Sequence, residues 1–197
     1  MTHRRARLRL PPDVQGCRWR LLDQTVTMAP MGWAQLAAID AAWSPQRDPS
    51  SMSTHWNWAL IGHRHRLVAA VVDSSGTTIA LFSSRSGLVQ LGARQFLRID
   101  RLEVAPPRRR LRFGSVAVAL IAAVAKSMGA DGLVMATDPA SDDLRSFYSS
   151  LGGVCGEVAG WQCEPGLVPW QWSGEAFAKL TEVADAQRIE GAQGHDV

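Results

Sequence analysis

The sequence predicts one α+β (mixed α/β) domain, on three observations. The 197 residues are 46% hydrophobic and 20% charged, which is the composition of a globular domain with a single core. Strand-like runs dominate residues 55–105. From residue 114 onward, helical periods alternate with short apolar runs. A central, mostly antiparallel sheet flanked by helices fits this pattern, with the elements in the order β-α-β-β-β-α-β-α-β.

The first predicted elements are a strand and a helix. Residues 14–22 predict the opening strand, and the segment after Pro30 predicts a helix that Pro45 ends. One face of this helix carries Met31, Ala34, Ala38 and Ala42, and its flanks carry Leu36, Ile39 and Trp43. Residues 44–54 are polar and rich in turn formers, so we expect a loop that arches over a site.

Antiparallel strands are predicted next. Residues 55–73 and 77–86 are two strand-like runs, and the turn Asp73–Gly76 joins them as a hairpin. Arg98–Ala105 predicts the strand that pairs after them. The double proline that follows stops this strand, because proline cannot donate to a sheet ladder.

The second half of the sequence alternates helices and strands. Gly114–Met128 has the clearest helical period, and Gly129 stands where a C-cap glycine belongs. Asp131–Thr137 is a short apolar run, which is typical of a central strand. Asp138-Pro139 or Ser141 caps a further helix. The inner face of that helix is Leu144, Phe147, Tyr148 and Leu151.

Shorter patterns define the C-terminal part. Val154–Cys163 predicts a strand, residues 166–172 an extended segment, and Glu175–Val183 a short helix. No repeat or linker divides the chain, so residues 1–186 are predicted to form one domain. We expect residues 187–197 to be a disordered tail.

The composition argues against a membrane or secreted protein. The longest apolar run, Val116–Ala125, covers about half of the roughly 20 residues that span a bilayer. The arginine-rich N-terminus has no apolar segment behind it, unlike a secretory signal. The three cysteines, at 17, 155 and 163, lack paired spacing. We therefore expect a cytoplasmic protein with reduced thiols and no membrane partner.

The charge balance is mildly basic. The formal net charge is +3, the pI is about 9.1, and all but two of the 21 basic residues are arginine. The arginine fork suits phosphate groups, so nucleotide-like or nucleic-acid partners are compatible with this composition. His63 and His65 have the i, i+2 spacing of one strand face, but no third ligand accompanies them. We therefore predict no metal site.

The stretch Arg98–Gly114 has the layout of an anion site. A strand leads into a turn with four arginines, at 108, 109, 110 and 112, and the turn opens a helix. The first N–H groups of a helix have no internal partner, and the helix dipole adds partial positive charge there. We expect this turn to hold an anionic ligand.

Two motifs resemble those of the GCN5-related N-acetyltransferases (GNAT). Residues 101–115, RLEVAPPRRRLRFGS, are similar to the cofactor motif, in which a strand ends in Val-x-Pro before a basic, glycine-rich turn and a long helix. Val104, Pro106, Arg109 and Gly114 occupy its main positions. Residues 141–153, SDDLRSFYSSLGG, resemble the second motif, with Phe147-Tyr148 in place of Leu-Tyr. The resemblance implies a GNAT-like fold.

The resemblance also implies acetyl-coenzyme A as cofactor and acetyl transfer to a primary amine. Backbone groups of Leu102, Glu103 and Val104 would pair with the pantetheine arm, as an added strand does. The turn and helix start would hold the pyrophosphate through Arg109, Arg110, Leu111, Arg112, Phe113, Gly114 and Ser115. Ser141, at the first position of the second motif, is the remaining cofactor-binding candidate.

Candidate catalytic residues follow from the same resemblance. Tyr148, the single tyrosine of the chain, matches the position that protonates the leaving thiolate. Its alternative role is that of a core aromatic, since it shares a face with Leu144 and Leu151. Asp100 and Glu103 are candidates for the general base, and strand alternation places them on opposite faces. Deprotonation of the amine through water needs neither carboxylate.

Two residues depart from the family pattern. Arg112 stands where the family has glycine, and Ser141 stands where it has asparagine. Arg112 is compatible with the turn if it has helical dihedral angles, because its N–H then still points at the ligand. Both departures bear on the affinity for coenzyme A more than on the fold.

The leading hypothesis is an acyl-coenzyme A-dependent N-acyltransferase. Its acceptor is a small amine, a peptide or the amino group of an aminoacyl-tRNA, as in acetylating toxins, and a homodimer is compatible with it. A second hypothesis is a GNAT-like module that binds coenzyme A or a protein partner with weakened turnover. A third is a nucleic-acid-binding protein that grips phosphates with its arginine-rich turn.

Overall fold

The computed structural model describes most of the chain. The described residues are 7–21, 24–49, 56–109, 111–138, 141–156, 158, 160–161 and 163–189. The five α-helices are α1 (Trp33–Trp43), α2 (Trp58–Arg64), α3 (Phe113–Ser127), α4 (Asp142–Ser150) and α5 (Gly174–Ala186). No described helix is long and apolar enough to cross a membrane.

Eleven strands lie within the described residues. They are β1 (Arg18–Leu21), β2 (Gln24–Pro30), β3 (Leu67–Asp73), β4 (Thr78–Ser84), β5 (Leu88–Leu91), β6 (Arg94–Ile99), β7 (Arg101–Val104), β8 (Gly132–Thr137), β9 (Val154–Cys155), β10 (Val168–Ser173) and β11 (Arg188–Ile189). One sheet has the order β11-β1-β2-β3-β4-β7, and the other has the order β5-β6-β8-β10-β9. All pairs are antiparallel except β6 with β8, which confirms the predicted class.

The two sheets separate at Asp100. We predicted one strand over Arg98–Ala105, and the chain instead leaves one sheet and enters the other at this residue. The last parallel pair of β6 and β8 is Ile99 with Met135, whereas Arg101 already pairs with Ser83 of β4. The result is a V-shaped opening between β7 and the end of β8. A strand prediction from composition cannot detect such a change of partner, because both halves have strand-like residues.

Helix α3 forms the centre of the core. Ten of its residues, from Phe113 to Ala125, are buried, since the helix packs against both the sheets and α5. The predicted helix from Gly114 is confirmed, and Gly129 has the positive φ of 78° that a C-cap glycine adopts. A second apolar layer, with α1 and α2, covers the opposite face of the first sheet around Leu36, Trp58 and Leu81. The V therefore opens between two helix layers.

Helix α2 replaces part of a predicted strand. We expected residues 55–73 to be one extended run, but only Leu67–Asp73 is a strand. The side chain of Asn57 accepts a hydrogen bond from the Leu60 N–H at 2.7 Å and so caps a helix that begins at Trp58. Trp58 and Gly62, four residues apart, are buried on its inner face. His63 and His65 consequently lie in and after a helix, and their predicted strand spacing was wrong.

Helix α1 is present where we predicted it, but it buries a different face. Leu36 and Trp43, which we placed on the flanks, are its buried residues. On the face that we described first, Met31 lies before the helix and is buried, whereas Ala34, Ala38 and Ala42 are exposed. Large side chains gain more from burial than alanine does, so they determine which face packs against the sheet.

The C-terminal elements are displaced from their predicted positions. Among the described residues of the predicted strand Val154–Cys163, only Val154–Cys155 forms a strand, and the main strand here is β10, which largely coincides with the segment predicted as extended. Helix α5 confirms the predicted helix and is longer at both ends. Arg188 and Ile189 pair with β1, so the start of the predicted disordered tail is a strand, while residues 190–197 lie outside the described residues.

Candidate active site

The free edge of β7 borders the V. Ala105 N–H donates to the Ile79 carbonyl of β4 at 2.8 Å, and backbone groups alternate between the two edges of a strand. The N–H and C=O groups of Leu102 and Val104 therefore face away from β4. No described strand pairs with that edge. Glu103, which we also predicted as a backbone partner of the cofactor, directs its backbone groups to β4.

The start of α3 presents a second set of free donors. The first helical bond within this turn runs from Val116 N–H to the Arg112 carbonyl at 3.5 Å. The N–H groups of Phe113, Gly114 and Ser115 precede it, and no side chain caps them. These N–H groups lie where we predicted an anion site from the sequence, and the helix dipole adds partial positive charge there.

Arg112 has a left-handed backbone conformation. Its φ is 62° and its ψ is 2°, so the helical dihedral angles that we gave as the condition for a residue other than glycine are not met. Residue 112 thus takes the conformation for which glycine is favoured, at a cost of about 1 to 2 kcal/mol for a residue with a Cβ. The arginine side chain is exposed.

The other predicted residues of the turn take different positions. Leu111 is exposed, whereas the Phe113 ring is buried in the core and only its backbone N–H serves the turn. A Cβ at Gly114 would lie 3.1 Å from the Phe147 ring, so glycine allows α3 and α4 to approach closely here. Arg110 lies outside the described residues. The Ser141 hydroxyl accepts from Leu144 N–H at 3.3 Å and caps α4.

Tyr148 is buried and lies in an aromatic cluster. Its ring centroid is 5.6 Å from those of Trp170 and Trp172 and 4.9 Å from that of Phe147. Burial raises the pKa of the Tyr148 hydroxyl well above its ordinary value, so the phenol is protonated at neutral pH. Trp170 in turn donates to the Thr137 hydroxyl, the last residue of β8, at 2.8 Å.

Glu103 lies in a buried polar network on the α1 and α2 side of β7. Both of its carboxylate oxygens accept from Arg47, at 2.9 and 3.0 Å, and Trp58 Nε1 donates to Oε2 at 2.6 Å. Arg109 Nη2 adds a bond to Oε1 at 3.2 Å. The Glu103 side chain is 2% exposed. Neither oxygen is open to an amine in this conformation.

Arg47 connects this network to the segment after α1. Its guanidinium also pairs with Asp40 at 2.9 Å and donates to the Trp56 carbonyl at 2.9 Å. Burial opposes its charge, but Glu103 and Asp40 outweigh the burial and hold the pKa of Arg47 above its ordinary value. This side chain anchors residues 44–49 over β7, where we predicted an arching loop; residues 50–54 of that loop lie outside the described residues.

Asp100 is equally engaged. Oδ1 pairs with Arg98 Nη2 at 2.7 Å, and Oδ2 accepts from Arg85 N–H at 2.6 Å. The backbone N–H of Asp100 donates to the Ser83 carbonyl at 2.9 Å. These bonds fix the turn after β4 to the point where β6 and β7 meet. The carboxylate thereby holds the corner of the V.

His65 lies beside this corner and is 6% exposed. Its Nδ1 is 3.0 Å from the Ser83 hydroxyl. Burial lowers the pKa of His65 to about 4; Asp100 opposes the shift, and Arg85, Arg101 and Arg98 reinforce it. The imidazole is therefore neutral at physiological pH and adds no charge beside the neighbouring arginines.

The lowered pKa of His65 predicts a pH dependence of stability. The unfolded chain takes up a proton near pH 6.5 and the folded chain only near pH 4, so the free energy of unfolding falls as the pH drops through that window. We expect His65 to account for roughly 2 to 3 kcal/mol of this loss. Urea unfolding at pH 7 and pH 4.5 measures it, and His65→Gln should flatten the difference. An unchanged difference in the variant would assign the loss to other groups.

Comparison with known proteins places these features in a family. The sequence profile of the acetyltransferase (GNAT) family matches residues 33–152, more than half of the chain. The chain belongs to this family. The region that matches the GNAT profile begins with α1 and ends just after α4. It therefore includes β7, the turn before α3 and Tyr148. No curated protein sequence is significantly similar to the chain.

Solved structures of other GNAT proteins share the fold. The GNAT domain of S. lividans PAT has a TM-score of 0.59 at 15% identity, with 84% of this chain and 100% of that chain covered. RimJ of Mycobacterium smegmatis, solved in complex with CoA-disulfide, has a TM-score of 0.57 at 14% identity, with 87% and 94% covered. A GNAT acetyltransferase of Listeria monocytogenes has a TM-score of 0.57 at 9% identity, with 80% and 99% covered.

Sequence reasoning missed several residues of the site. Arg47 and Trp58, which donate hydrogen bonds to the Glu103 carboxylate, are far from it in sequence. No local sequence pattern predicts that they contact it. For His65 we considered a metal-ligand, surface or substrate-groove role, whereas its side chain is buried and contacts Ser83. Among the described residues, no group of three metal-ligating side chains comes together. The double tryptophan at 56 and 58 was the one available signal, since tryptophan N–H groups seek buried acceptors.

Proposed function

We propose that this GNAT protein transfers an acetyl group from acetyl-coenzyme A to a primary amine. One observation carries the proposal: the free backbone edge of β7 leads directly into the uncapped start of α3. An extended amide-containing arm can pair with the edge while its phosphates meet the helix end. Acceptor identity, homodimerisation and cytoplasmic location stay predictions.

The residues of the V fit coenzyme A. Leu102 and Val104 supply backbone partners for the pantetheine amides, and the N–H groups of Phe113, Gly114 and Ser115 face the pyrophosphate. Arg109 bridges Glu103 and the Val104 carbonyl, at 3.2 and 3.4 Å, so it is close to both parts of the cofactor path. Acetyl-coenzyme A, when bound, supplies the activated thioester.

Tyr148 is the proposed general acid. It belongs to the helix after β8, packs on the tryptophan that contacts Thr137, and remains protonated through the physiological range. A protonated phenol donates to a departing thiolate without first needing a proton from water. Asp100 and Glu103 remain the predicted candidates for a base, but their oxygens are engaged as described above. Loss of the amine proton to water is compatible with this geometry.

Gly114→Glu tests the phosphate end of the site. The added side chain crowds Phe147 and places a negative charge at the helix start, so we expect coenzyme A binding to fall below detection. Native mass spectrometry and a thermal-shift titration with coenzyme A measure it. Ser127→Ala, at the far end of α3, serves as the control that keeps wild-type binding.

The same titration separates the proposal from its alternatives. Coenzyme A binding without acetyl transfer to any amine would favour a module with weakened turnover. Salt-dependent binding of RNA with no response to coenzyme A would favour a nucleic-acid-binding protein. Binding retained in Gly114→Glu would mean that the pyrophosphate lies elsewhere.

A further inference from the structure

Arg109 lies where the free edge of β7 meets the arginine-rich turn. Its Nε donates to the Val104 carbonyl at 3.4 Å, and its Nη2 donates to Glu103 Oε1 at 3.2 Å. Val104 is the last residue of β7, and its carbonyl faces away from β4. The Arg109 side chain therefore contacts the last acceptor of the free edge, which the proposed cofactor path also uses.

Glu103 holds Arg109 less firmly than it holds its other partners. The carboxylate accepts from Trp58 at 2.6 Å and from Arg47 at 2.9 and 3.0 Å, so the bond from Arg109 is the longest of these four. The Arg109 side chain is 33% exposed, whereas that of Arg47 is 1% exposed. Solvent screens the pair with Arg109 more strongly for that reason. Arg109 can leave while Arg47 and Trp58 keep Glu103 in place.

The pair with Glu103 also engages the charge of Arg109. Arg47 and Arg109 face the carboxylates of Asp40 and Glu103, so the charges of these four groups balance. A cation that is already paired attracts a further anion less than an unpaired cation does, because its counter-charge opposes the approach. A phosphate at the start of α3 therefore has to draw Arg109 away from Glu103 to gain its charge.

The start of α3 is within reach of Arg109. Arg109 precedes Arg112, the N-cap of α3, by three residues, so their Cα atoms are at most about 11 Å apart. The neighbouring Arg108 guanidinium is 5.6 Å from the ring centroid of Phe113, the first residue of the helix. A phosphate accepts two parallel bonds from one guanidinium, whereas Val104 and Glu103 each take a single bond from Arg109. The phosphate is thus the better partner.

We propose that Glu103 competes with a phosphate of coenzyme A for Arg109. Glu103 holds the guanidinium beside the Val104 carbonyl in this conformation. A bound phosphate takes the guanidinium and leaves the Val104 carbonyl to the pantetheine arm. Glu103 is therefore a positioning residue that lowers cofactor affinity through Arg109. This inference rests on the proposed coenzyme A site.

A thermodynamic cycle on coenzyme A binding tests the competition. Glu103→Gln keeps the size of the side chain and removes its charge, so we expect roughly threefold tighter binding, the strength of one partly exposed ion pair. Arg109→Gln should weaken binding roughly tenfold, as loss of one charge-assisted hydrogen bond does. Adding Glu103→Gln to Arg109→Gln should change nothing further. Calorimetric titration of the wild type, both single variants and the double variant measures the cycle.

Two further variants control for net charge and for folding. Asp185→Asn removes a carboxylate that pairs with exposed Lys126 near the other end of α3, and it should leave the affinity unchanged. If Glu103→Gln does not fold, Arg47→Met combined with Glu103→Leu takes its place. That pair of changes frees Arg109 without leaving Arg47 unpaired, and it should give the same tightening.

The outcomes separate this inference from the proposed function. No tightening in Glu103→Gln, or an equal tightening when Arg109 is also replaced, overturns the competition while coenzyme A binding to the wild type upholds the cofactor site. No binding to the wild type overturns both. Dephospho-coenzyme A, which lacks the ribose phosphate, identifies the partner of Arg109. A cycle that persists with this ligand assigns Arg109 to the pyrophosphate, and a cycle that disappears assigns it to the ribose phosphate.

Discussion

Tyr148→Phe is expected to slow acetyl transfer by roughly 10²- to 10³-fold, within the range for loss of a general acid. The variant removes the hydroxyl and keeps the ring that packs on Trp170 and Trp172. Coenzyme A affinity should therefore remain near that of the wild type, and the thermal midpoint should change little. Single-turnover kinetics with saturating acetyl-coenzyme A measure the chemical step.

A matched variant separates the two roles of Tyr148. Ser149→Ala removes a hydroxyl from the neighbouring, exposed position of α4 and should leave the rate unchanged. If Tyr148→Phe turns over at the wild-type rate, Tyr148 is a core aromatic and the leaving thiolate takes its proton from elsewhere. A faster reaction at low pH in the variant would indicate rescue by solvent protons.

Glu103→Ala is expected to lower the free energy of unfolding by about 3 to 5 kcal/mol, because it leaves buried Arg47 without its main counter-charge. Arg47 and Glu103 side chains are 1% and 2% exposed, so water cannot replace the lost bonds. Trp58 Nε1 loses its acceptor in the same variant. Urea unfolding at neutral pH measures the change.

An exposed pair and a double variant serve as controls. Asp185→Ala breaks the pair with Lys126, in which both side chains are more than half exposed, and should cost less than about 0.5 kcal/mol. Arg47→Met combined with Glu103→Leu removes both charges and should recover much of the loss, since no unpaired charge remains. A loss below about 1 kcal/mol in Glu103→Ala would mean that water or another residue compensates the charge.

The sequence was most informative where local pattern and packing agree. Helix α3 and strand β8 have strong periods and clear ends, and both lie close to their predicted bounds. Helix α4 begins at the predicted cap, Ser141, and buries Tyr148 as its pattern indicates. Helix α3 and strand β8 lie in the centre of the core, and α4 packs on that core through Tyr148, so in each element the same residues determine both local structure and position.

The predictions failed where a distant residue decides. The strand over Arg98–Ala105 breaks because β6 and β7 have different partners, and neither partner can be read from the stretch itself. Strand β5 and the start of β6 were also missed, although they pair with each other in a local hairpin that closes at Leu91 and Arg94. The αL conformation of Arg112 follows from the turn between β7 and α3, against the preference of arginine.

The sequence alone indicated the family and predicted the anion site, because the order strand, double proline, arginine turn and helix is a local feature of residues 98–128. Tertiary structure alone decided which groups remain free to act. From the sequence alone, Glu103 and Asp100 cannot be distinguished from catalytic carboxylates. In the fold, Glu103 pairs with Arg47, which is distant in sequence. Asp100 pairs with Arg98 and accepts a hydrogen bond from the Arg85 backbone N–H. Both carboxylates are buried, and a buried charge without a partner is strongly unfavourable, so the partners that the fold supplies remain bound to them.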